Sequence, residues 1–339
     1  MNASIEIKSL TIGYPRKKKV KIVANNLSAR INDGELTCLI GVNGVGKSTL
    51  LRTISGFQPK LSGQILIQGK ELQDYSKAEL AEKISVVLTD RIDVRNMTAR
   101  EIIALGRNPY TGFWGTLTSN DQQIIDEAIH RISITHLSNR MIETLSDGER
   151  QKVMIAKALV QETPIIFLDE PTAFLDFPSK VEMMQLLHRL SRETRKTIFV
   201  TTHDLELAIQ LADKIWIMDK TDGLTVGVPE DLSQNGSFER FFNRKGIRYD
   251  GEKGVFKIEH SILHRIKLIG DENGFTLVQK ALLRNGILAD RDIDSDCWVE
   301  ITKKNPSEKY VIHMPEGNQV RLNSIEELLE YFNSFSVSS

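Results

Sequence analysis

Apolar and polar residues alternate at the start of the chain, and farther on short apolar runs alternate with helical periodicity. Ile5, Ile7 and Leu10 follow a strand pattern, and a lysine-rich turn follows at residues 15–21. From Leu36 onward, the alternation of strand-sized runs with helices predicts an α/β fold with a mostly parallel sheet. The predicted strands are Leu36–Ile40, Ile165–Leu168, Ile198–Val200 and Ile215–Met218. The predicted helices are Asp121–Ile132, Asp147–Gln161, Pro178–Glu193 and Asp204–Leu211.

The pattern becomes looser after about residue 225, where glycine, proline and asparagine are frequent. Beyond this stretch, a small α+β unit is predicted. Its strands are expected at Ile266–Ile269, Trp298–Thr302 and Tyr310–His313, and its helices at Phe275–Arg284 and Ser324–Phe332. We therefore expect a first domain at residues 1–255, with its motifs within residues 3–225, and a C-terminal α+β domain at residues 262–339.

The composition of the 339 residues is that of an ordinary globular protein, with 40% hydrophobic and 26% charged residues. Lys+Arg total 44 and Asp+Glu total 45, so the net charge of -1 gives no general attraction to nucleic acid or to an anionic membrane. The longest apolar runs are far shorter than the ~20 residues of a membrane-spanning helix, and the N-terminus lacks the apolar segment of a signal peptide. Two cysteines cannot form a disulfide framework, so we expect a reduced, cytosolic protein in which Cys38 is a core residue.

A glycine-rich phosphate-binding loop is predicted between an apolar strand and a helix. The sequence GVNGVGKST at residues 41–49 has the P-loop spacing in the required strand–loop–helix context. Its glycines allow backbone N–H groups to converge on phosphate oxygens. Lys47 is expected to supply positive charge to the phosphates, and Ser48 to offer its hydroxyl to Mg²⁺.

Two carboxylates follow the apolar strand that ends at Leu168. Because strand ends face the ligand crevice in open α/β sheets, Asp169 is expected to hold Mg²⁺ and Glu170 to polarise a water molecule toward the γ-phosphate. An acidic pair after a strand is also common as a cap of the next element. The phosphate-binding loop in the same chain favours the catalytic interpretation.

Ser146 begins a helix within the sequence LSDGE, and two interpretations of it coexist. As an N-cap, Ser146 completes a capping box with Glu149, three residues later. A capped helix N-terminus with a glycine, here Gly148, is also an anion site. The helix is therefore able to receive the γ-phosphate of ATP bound by a second chain.

The order of these motifs resembles that of the ATP-binding subunit of an ABC transporter. The P-loop is followed by LSDGE, then by IIFLDE ending at Glu170, AFLD ending at Asp176 and TTHD ending at Asp204. The resemblance covers about residues 3–225. It implies a P-loop ABC ATPase cassette with an N-terminal antiparallel β part, a mostly parallel sheet and a helical subdomain, followed by the small C-terminal α+β unit. It also implies hydrolysis of ATP with Mg²⁺ by a homodimer that sandwiches two ATP molecules.

Individual roles are implied by the same resemblance. Tyr14 would stack on the adenine, His203 would contact the γ-phosphate beside the catalytic Glu170, and Asp176 would cross the dimer interface. The implied ATP-binding residues are Tyr14, Gly41, Asn43, Gly44, Gly46, Lys47, Ser48 and Thr49, with Ser48 and Asp169 as Mg²⁺ ligands, and with Ser146, Gly148 and Asp176 acting from the opposite subunit.

Two positions depart from the pattern of the family. Its usual signature is LSGGQ, whereas Asp147 and Glu149 occupy the third and fifth positions here. A carboxylate aimed at a phosphate would oppose binding, so Asp147 is expected to point away or to pair with a cation such as Arg150. The glutamine that usually ends a neighbouring strand is missing. Thr89, which fits the spacing, or Asp90, which could still coordinate Mg²⁺, takes its place, and both possibilities stay open.

The segment at residues 97–115 resembles the corresponding stretch of importers of iron–siderophore, haem and cobalamin complexes, where it meets the permease. Tyr110, Phe113 and Trp114 within it either serve that contact or pack internally. The resemblance implies an ATPase that drives import of a metal chelate, with an iron complex as the first candidate. Its implied partners are integral-membrane permease subunits and, through them, a substrate-binding protein. We then expect a peripheral protein at the cytoplasmic face of the inner (cell) membrane that does not bind nucleic acid.

Two other functions remain as alternatives. A soluble ABC-type ATPase that clamps nucleic acid or ribosomes would carry the same motifs, although the chain has one cassette and neither a long coiled-coil insertion nor a strongly basic arm. Alternatively, residues 262–339, for which the sequence suggests no family, form a ligand-sensing module that gates the ATPase.

Overall fold

A computed structural model describes residues 3–15, 20–89, 94, 96–112, 115–242, 247–251, 254–302 and 309–335. This part of the chain divides into two compact units. The first comprises the residues up to Phe241 together with Gly251–Val255, and the second comprises Phe242–Asp250 and the residues from Phe256 onward.

The first unit contains two sheets. Its strands are β1 (Ala3–Tyr14), β2 (Lys21–Asn32), β3 (Leu36–Gly41), β4 (Ser62–Ile67), β5 (Lys70–Glu71), β6 (Ile84–Val87), β7 (Ile165–Asp169), β8 (Thr197–Thr201), β9 (Lys214–Asp219) and β10 (Gly223–Gly227). An antiparallel sheet has the order β2-β1-β4-β5. The other sheet has the order β10-β9-β3-β8-β7-β6 and is parallel from β9 to β6, with β10 antiparallel. The predicted fold class, with an antiparallel N-terminal part and a mostly parallel sheet, is confirmed.

Helices surround the parallel sheet, and α3, α4 and α5 pack on one another as a helical subdomain. The helices are α1 (Lys47–Ile54), α2 (Lys77–Ala81), α3 (Ala99–Ala104), α4 (Ser119–Arg131), α5 (Asp147–Val160), α6 (Phe177–Thr194), α7 (Leu205–Leu211), α8 (Pro229–Gln234) and α9 (Ser237–Phe242). Thr98, Thr118 and Ser146 begin the three subdomain helices with capping boxes, each closed by an acidic residue three positions later.

The core of the first unit fills the space between its two sheets and α1. Ile5 from β1, Leu50 from α1 and Trp216 from β9 are all fully buried in it. Phe199 packs edge-on against Trp216, with ring centroids 5.1 Å apart. Cys38 is buried in β3, and this burial raises the pKa of its thiol to about 12, so Cys38 is the core residue that its apolar run predicts.

The second unit is built on a mixed sheet. Its elements, with the two-stranded sheet of β11 and β12 that precedes them, are β11 (Ile247–Asp250), β12 (Val255–Ile258), β13 (His264–Ile269), α10 (Glu272–Arg284), β14 (Ile287–Asp290), β15 (Trp298–Ile301), β16 (Tyr310–His313), β17 (Gln319–Leu322) and α11 (Ile325–Phe335). The sheet order is β14-β13-β15-β16-β17, with β13 parallel to both of its neighbours and the remaining pairs antiparallel. Leu268, Val299 and Ile312 from the sheet pack with Leu282 and Leu328 from the helices in a core of their own.

Within the described ranges, no helix is both long enough and apolar enough to cross a membrane.

Candidate nucleotide-binding site

The glycine-rich loop connects the end of β3 at Gly41 to α1, which begins at Lys47. Gly44 and Gly46 have φ angles of 73° and 120°, in the region that residues with a Cβ disfavour. A Cβ on Gly46 would also lie 2.4 Å from Val23 Cγ1, so only glycine fits there. The first N–H groups of α1 have no acceptor within the helix, which makes this end suited to binding a phosphate.

Lys47 is buried at the start of α1, and its ammonium group lies between the carbonyl oxygen of Gly41 and the ring of His203. Its Nζ donates to Gly41 O at 2.9 Å and lies 3.2 Å from His203 Nε2. Burial lowers the pKa of Lys47, and the negative charges of Glu170 and Asp169 oppose this only in part. A bound phosphate would add negative charge beside the ammonium and favour its protonated form.

Asp169 ends β7 with a buried carboxylate that faces α1. Its Oδ1 accepts from Ser48 Oγ at 3.1 Å and from Thr201 Oγ1 at 2.6 Å. A hydroxyl and a carboxylate are the oxygen donors that Mg²⁺ prefers. In the part of the chain that is described, no cluster of three His, Cys, Asp or Glu side chains could hold a metal. One protein carboxylate that shares the ion with substrate phosphates is the usual Mg²⁺ arrangement, so Ser48 and Asp169 fit the ion.

Glu170 follows Asp169 with a left-handed backbone, at a φ of 49°. Its N–H donates to Thr201 O at 3.1 Å and to Thr201 Oγ1 at 2.9 Å. Its Oε1 lies 2.7 Å from His203 Nε2, and because a carboxylate oxygen can only accept, His203 Nε2 is the donor of this contact. The two predicted catalytic residues are therefore in direct contact, with Lys47 beside them.

A pocket of about 290 Å³ lies next to these residues. It is lined by Tyr14, Lys21, Val23, Asn43, Gly44, Gly46, Lys47, Ser48, Thr49 and Glu170. Tyr14 is 42% exposed, and its hydroxyl lies 3.0 Å from Thr49 Oγ1. Lys21 was not predicted as a site residue, because the sequence places it in a charged turn. Lys21 reaches this site because it pairs with Tyr14 where β1 and β2 run side by side, and the sequence alone does not reveal that pairing.

The signature segment lies at the N-terminus of α5, and none of its residues is among those that line that pocket. Ser146 Oγ accepts from Glu149 N and donates to the Glu149 carboxylate at 2.9 Å, so the predicted capping box is present. The hydrogen bonds from Ser146 hold the pKa of Glu149 below its usual value. Arg150 Nη1 lies 3.7 Å from Asp147 Oδ1, which is the pairing expected for that carboxylate. Gly148 leaves the first turn of α5 open, with Leu175 as the nearest side chain to its position.

Asp176 caps α6. Its Oδ1 accepts from Ser179 N at 3.1 Å, and the hydrogen bonds from Ser179 lower the pKa of Asp176. Neither Asp176 nor the residues of the signature segment belong to the described lining of the nucleotide pocket in their own chain.

The position of the missing glutamine is described only as far as Thr89. Thr89 Oγ1 donates to Asp169 O at 2.5 Å, which ties the end of β6 to the end of β7. Asp90 lies outside the described residues. The structure thus brings Thr89, rather than a long amide side chain, to the backbone of Asp169.

Tyr110 packs within the helical subdomain. Its ring lies 4.2 Å from the guanidinium carbon of the buried Arg107, and its hydroxyl donates to Gln161 O at 2.9 Å. The residue remains 41% exposed. Phe113 and Trp114, for which permease contact or internal packing was expected as for Tyr110, lie outside the described residues.

Residues 24–173 match the ABC transporter family. An ABC transporter ATP-binding protein of Methanocaldococcus jannaschii is 36% identical over 264 residues, which cover 78% of this chain and 90% of that protein. This chain belongs to the ABC transporter ATP-binding proteins. Members of this family bind ATP and hydrolyse it in coupling to transport through a membrane permease, so the chain is an ATP hydrolase, and the predicted family and enzyme class are confirmed.

Three further similarities extend the comparison. The ferric enterobactin transport ATP-binding protein FepC of Escherichia coli is 33% identical over 248 residues, which cover 73% of this chain and 90% of that protein. The dimeric structure of a bacterial ABC transporter cassette is similar with a TM-score of 0.59 and 27% identity, covering 66% of this chain and 98% of that one. Residues 263–333, for which the sequence suggested no family, match the iron ABC transporter C-terminal domain.

Proposed function

We propose that this ABC ATPase powers the import of a metal chelate, with an iron complex as the first candidate, through a separate membrane permease. The observation that carries the proposal is the match of residues 263–333 to a C-terminal domain of iron ABC transporters, in the same chain as the cassette. The similarity to FepC over nine-tenths of that protein supports the same cargo class. The comparisons favour neither a clamp on nucleic acid or ribosomes nor a sensor-gated ATPase of another kind.

The chemistry of the proposed site divides among side chains that the structure brings together. The P-loop amides and Lys47 bind the phosphates, and Ser48 and Asp169 would hold Mg²⁺, which neutralises phosphate charge when bound. Glu170 accepts the proton of the attacking water. Because His203 donates to Oε1, it orients the carboxylate so that the second oxygen can take this proton.

The proposed assembly has two copies of the chain, with each ATP held by the P-loop of one copy and by Ser146, Gly148 and Asp176 of the other. The open first turn of α5 at Gly148 supports this arrangement, since a capped helix N-terminus can accept a phosphate from outside its own chain. The permease would dock the dimer at the cytoplasmic face of the inner membrane. A substrate-binding protein would deliver the chelate to the permease.

Uptake by cells that lack this chain tests the proposal. Deletion should reduce accumulation of radioactive iron supplied as a ferric chelate, wild-type protein should restore it, and Glu170→Gln should not. Uptake of an amino acid carried by another transporter serves as the control. Unchanged uptake of ferric chelates, haem and cobalamin after deletion would contradict the proposed cargo class.

A further inference from the structure

We propose that Thr201 is a positioning residue for ATP hydrolysis, whose one hydroxyl fixes both the carboxylate of Asp169 and the backbone of Glu170. The proposal rests on the roles given above to these two acidic residues. Thr201 is the last residue of β8, lies opposite Asp169 in the parallel β7–β8 register, and has no exposed surface.

The direction of the two hydrogen bonds is determined by chemistry. A carboxylate can only accept and a backbone N–H can only donate. The Thr201 hydroxyl therefore donates its proton to Asp169 Oδ1 at 2.6 Å and accepts from Glu170 N at 2.9 Å. One hydroxyl thus donates to Asp169 and accepts from Glu170, which are consecutive residues. Because both bonds share the same oxygen, the geometry of each one restricts the geometry of the other.

At Asp169 this bond selects which oxygen is available. Ser48 Oγ also donates to Oδ1, so both hydroxyls hold the same carboxylate oxygen. Oδ2 accepts no hydrogen bond from the described residues. The carboxylate is consequently fixed in rotation, with Oδ2 as the oxygen left to interact with a cation.

At Glu170 the bond supports an uncommon backbone. Residues with a Cβ rarely adopt a φ of 49°, and they keep it only where the surroundings hold them. The N–H of Glu170 is shared between Thr201 O and Thr201 Oγ1, at 3.1 Å and 2.9 Å. This conformation brings the Glu170 side chain to His203, so loss of the hydroxyl would loosen the contact between the two groups.

Removal of the hydroxyl at constant shape tests the role. Thr201→Val keeps the β-branched side chain in the strand but neither donates nor accepts, whereas Thr201→Ser keeps the hydroxyl. Thr37→Val is the matched control, because Thr37 is equally buried in the adjacent β3 and its hydroxyl has no hydrogen-bond partner in the described chain. Each variant is assayed for kcat, for KM, for the Mg²⁺ concentration at half-maximal rate, and for affinity toward a fluorescent ATP analogue in EDTA.

We expect Thr201→Val to lower kcat roughly 10- to 100-fold, as is typical for residues that orient metal ligands, and to raise the Mg²⁺ midpoint. Affinity for the analogue in EDTA should not change, because the P-loop and Lys47 are untouched. Thr201→Ser should recover most of the rate, and Thr37→Val should match wild type. When Glu170 is already replaced by Gln, Thr201→Val should lower kcat by a smaller factor than it does in the wild-type protein. The reason is that part of the effect of Thr201 comes from positioning Glu170.

Three results would overturn the role. They are a wild-type kcat and Mg²⁺ midpoint in Thr201→Val, a loss that Thr201→Ser does not repair, or an equal loss of metal-free nucleotide affinity. If Thr201→Val does not fold, Thr201→Ala and Thr201→Ser are compared, since they differ only by the hydroxyl, and equal kcat values in those two variants would also refute it. The uptake assay tests the proposed transport function, and the ATPase rates of the Thr201 variants test the role of Thr201. Each of the two proposals can therefore be refuted without the other.

Discussion

Tyr14 offers a half-exposed ring to the nucleotide pocket, and its hydroxyl reaches Thr49 at the start of α1. Stacking of an aromatic ring on a base contributes ~1–3 kcal/mol. Tyr14→Ala should therefore weaken ATP binding roughly 5- to 150-fold, measured by titration of a fluorescent analogue. Tyr14→Phe keeps the ring and loses only the bond to Thr49, so it should bind nearly as well as wild type. Equal affinity in all three proteins would remove Tyr14 from the site.

Residues whose role depends on a contiguous motif could be predicted, whereas residues whose role depends on strand pairing could not. Lys47 is identified by the P-loop around it, and Asp169 and Glu170 by their place after an apolar strand in a chain that also carries a P-loop. Lys21 reaches the pocket only because the β1–β2 register places it opposite Tyr14. Thr201 meets the acidic pair only because β7 and β8 are adjacent, and sequence alone does not specify which strands pair.

At the scale of elements, the N-terminus of α5 carries the proposed contact between two copies of the chain. Glu170→Gln keeps the shape of the side chain but cannot accept a proton, so hydrolysis should fall by about 10²–10⁴ while ATP binding persists. This variant should accumulate as an ATP-bound dimer in size-exclusion chromatography. Addition of Ser146→Arg, which places bulk at the helix end, should leave ATP binding intact and the protein monomeric. An undiminished dimer in the double variant would reduce Ser146 to a helix cap.

A buried ionic network joins α4 to α5 within the helical subdomain. Arg107 Nε donates to Asp121 Oδ1 at 2.8 Å, and its Nη1 donates to Glu162 Oε2 at 2.6 Å and to Val160 O at 2.7 Å. Hydrogen bonds from Thr118, and then from Arg107, lower the pKa of Asp121 from 3.8 to about 2. Arg107 thus has a structural role, in a segment whose aromatic residues were expected either to contact the permease or to pack internally.

The depressed pKa of Asp121 predicts a pH dependence of stability. Because the folded-state pKa lies below the unfolded one, the contribution is complete above pH 3.8 and is lost as the pH falls toward about 2. Asp121→Asn should lower the free energy of unfolding in urea by about 2 kcal/mol at pH 7, and the difference from wild type should shrink below about pH 4.

Asp126→Asn is the control for this experiment, because Asp126 also lies on α4 and pairs with Arg100, but its side chain is 61% exposed. Exposed ion pairs contribute little to stability, so Asp126→Asn should lower the free energy of unfolding by less than about 1 kcal/mol. A constant difference between Asp121→Asn and wild type from pH 7 to pH 3 would show that the carboxylate charge is not what stabilises the subdomain.

Element prediction succeeded for the long helices, whereas short strands were found in some places and missed in others. The strand at Tyr310–His313 agrees with its prediction, and α5 and α6 end within a residue or so of theirs. β14 and β17 have the same length of four residues and were not predicted: β14 follows the end of α10 after only two residues, and β17 has only two apolar residues. α8 and α9 were also not predicted. Each has six residues, and both lie after residue 225, where frequent glycines favour loops in the sequence.

At the scale of the whole molecule, apolar clusters fall on either side of a possible cut near His260. Phe256 contacts Phe242 and Tyr249, with ring centroids 4.8 Å and 4.9 Å apart, and all three residues precede that point. The core of the C-terminal sheet is drawn from residues after it, from Ile266 to Leu328. A break there falls inside the second compact unit, which begins at Phe242, but it divides neither of these two clusters.

We therefore expect residues 262–339 to be a separable domain. A chain that ends at His260 should remain soluble, bind ATP with wild-type affinity and melt cooperatively, and the fragment 262–339 should fold by itself. A chain that ends at Thr302 is the control. It keeps β13 and β15 but loses Ile312 and Leu328, so its half-built core should expose apolar surface and aggregate. Aggregation of the His260 chain, or a broad melt measured by circular dichroism, would instead show that the cassette needs the C-terminal residues to fold.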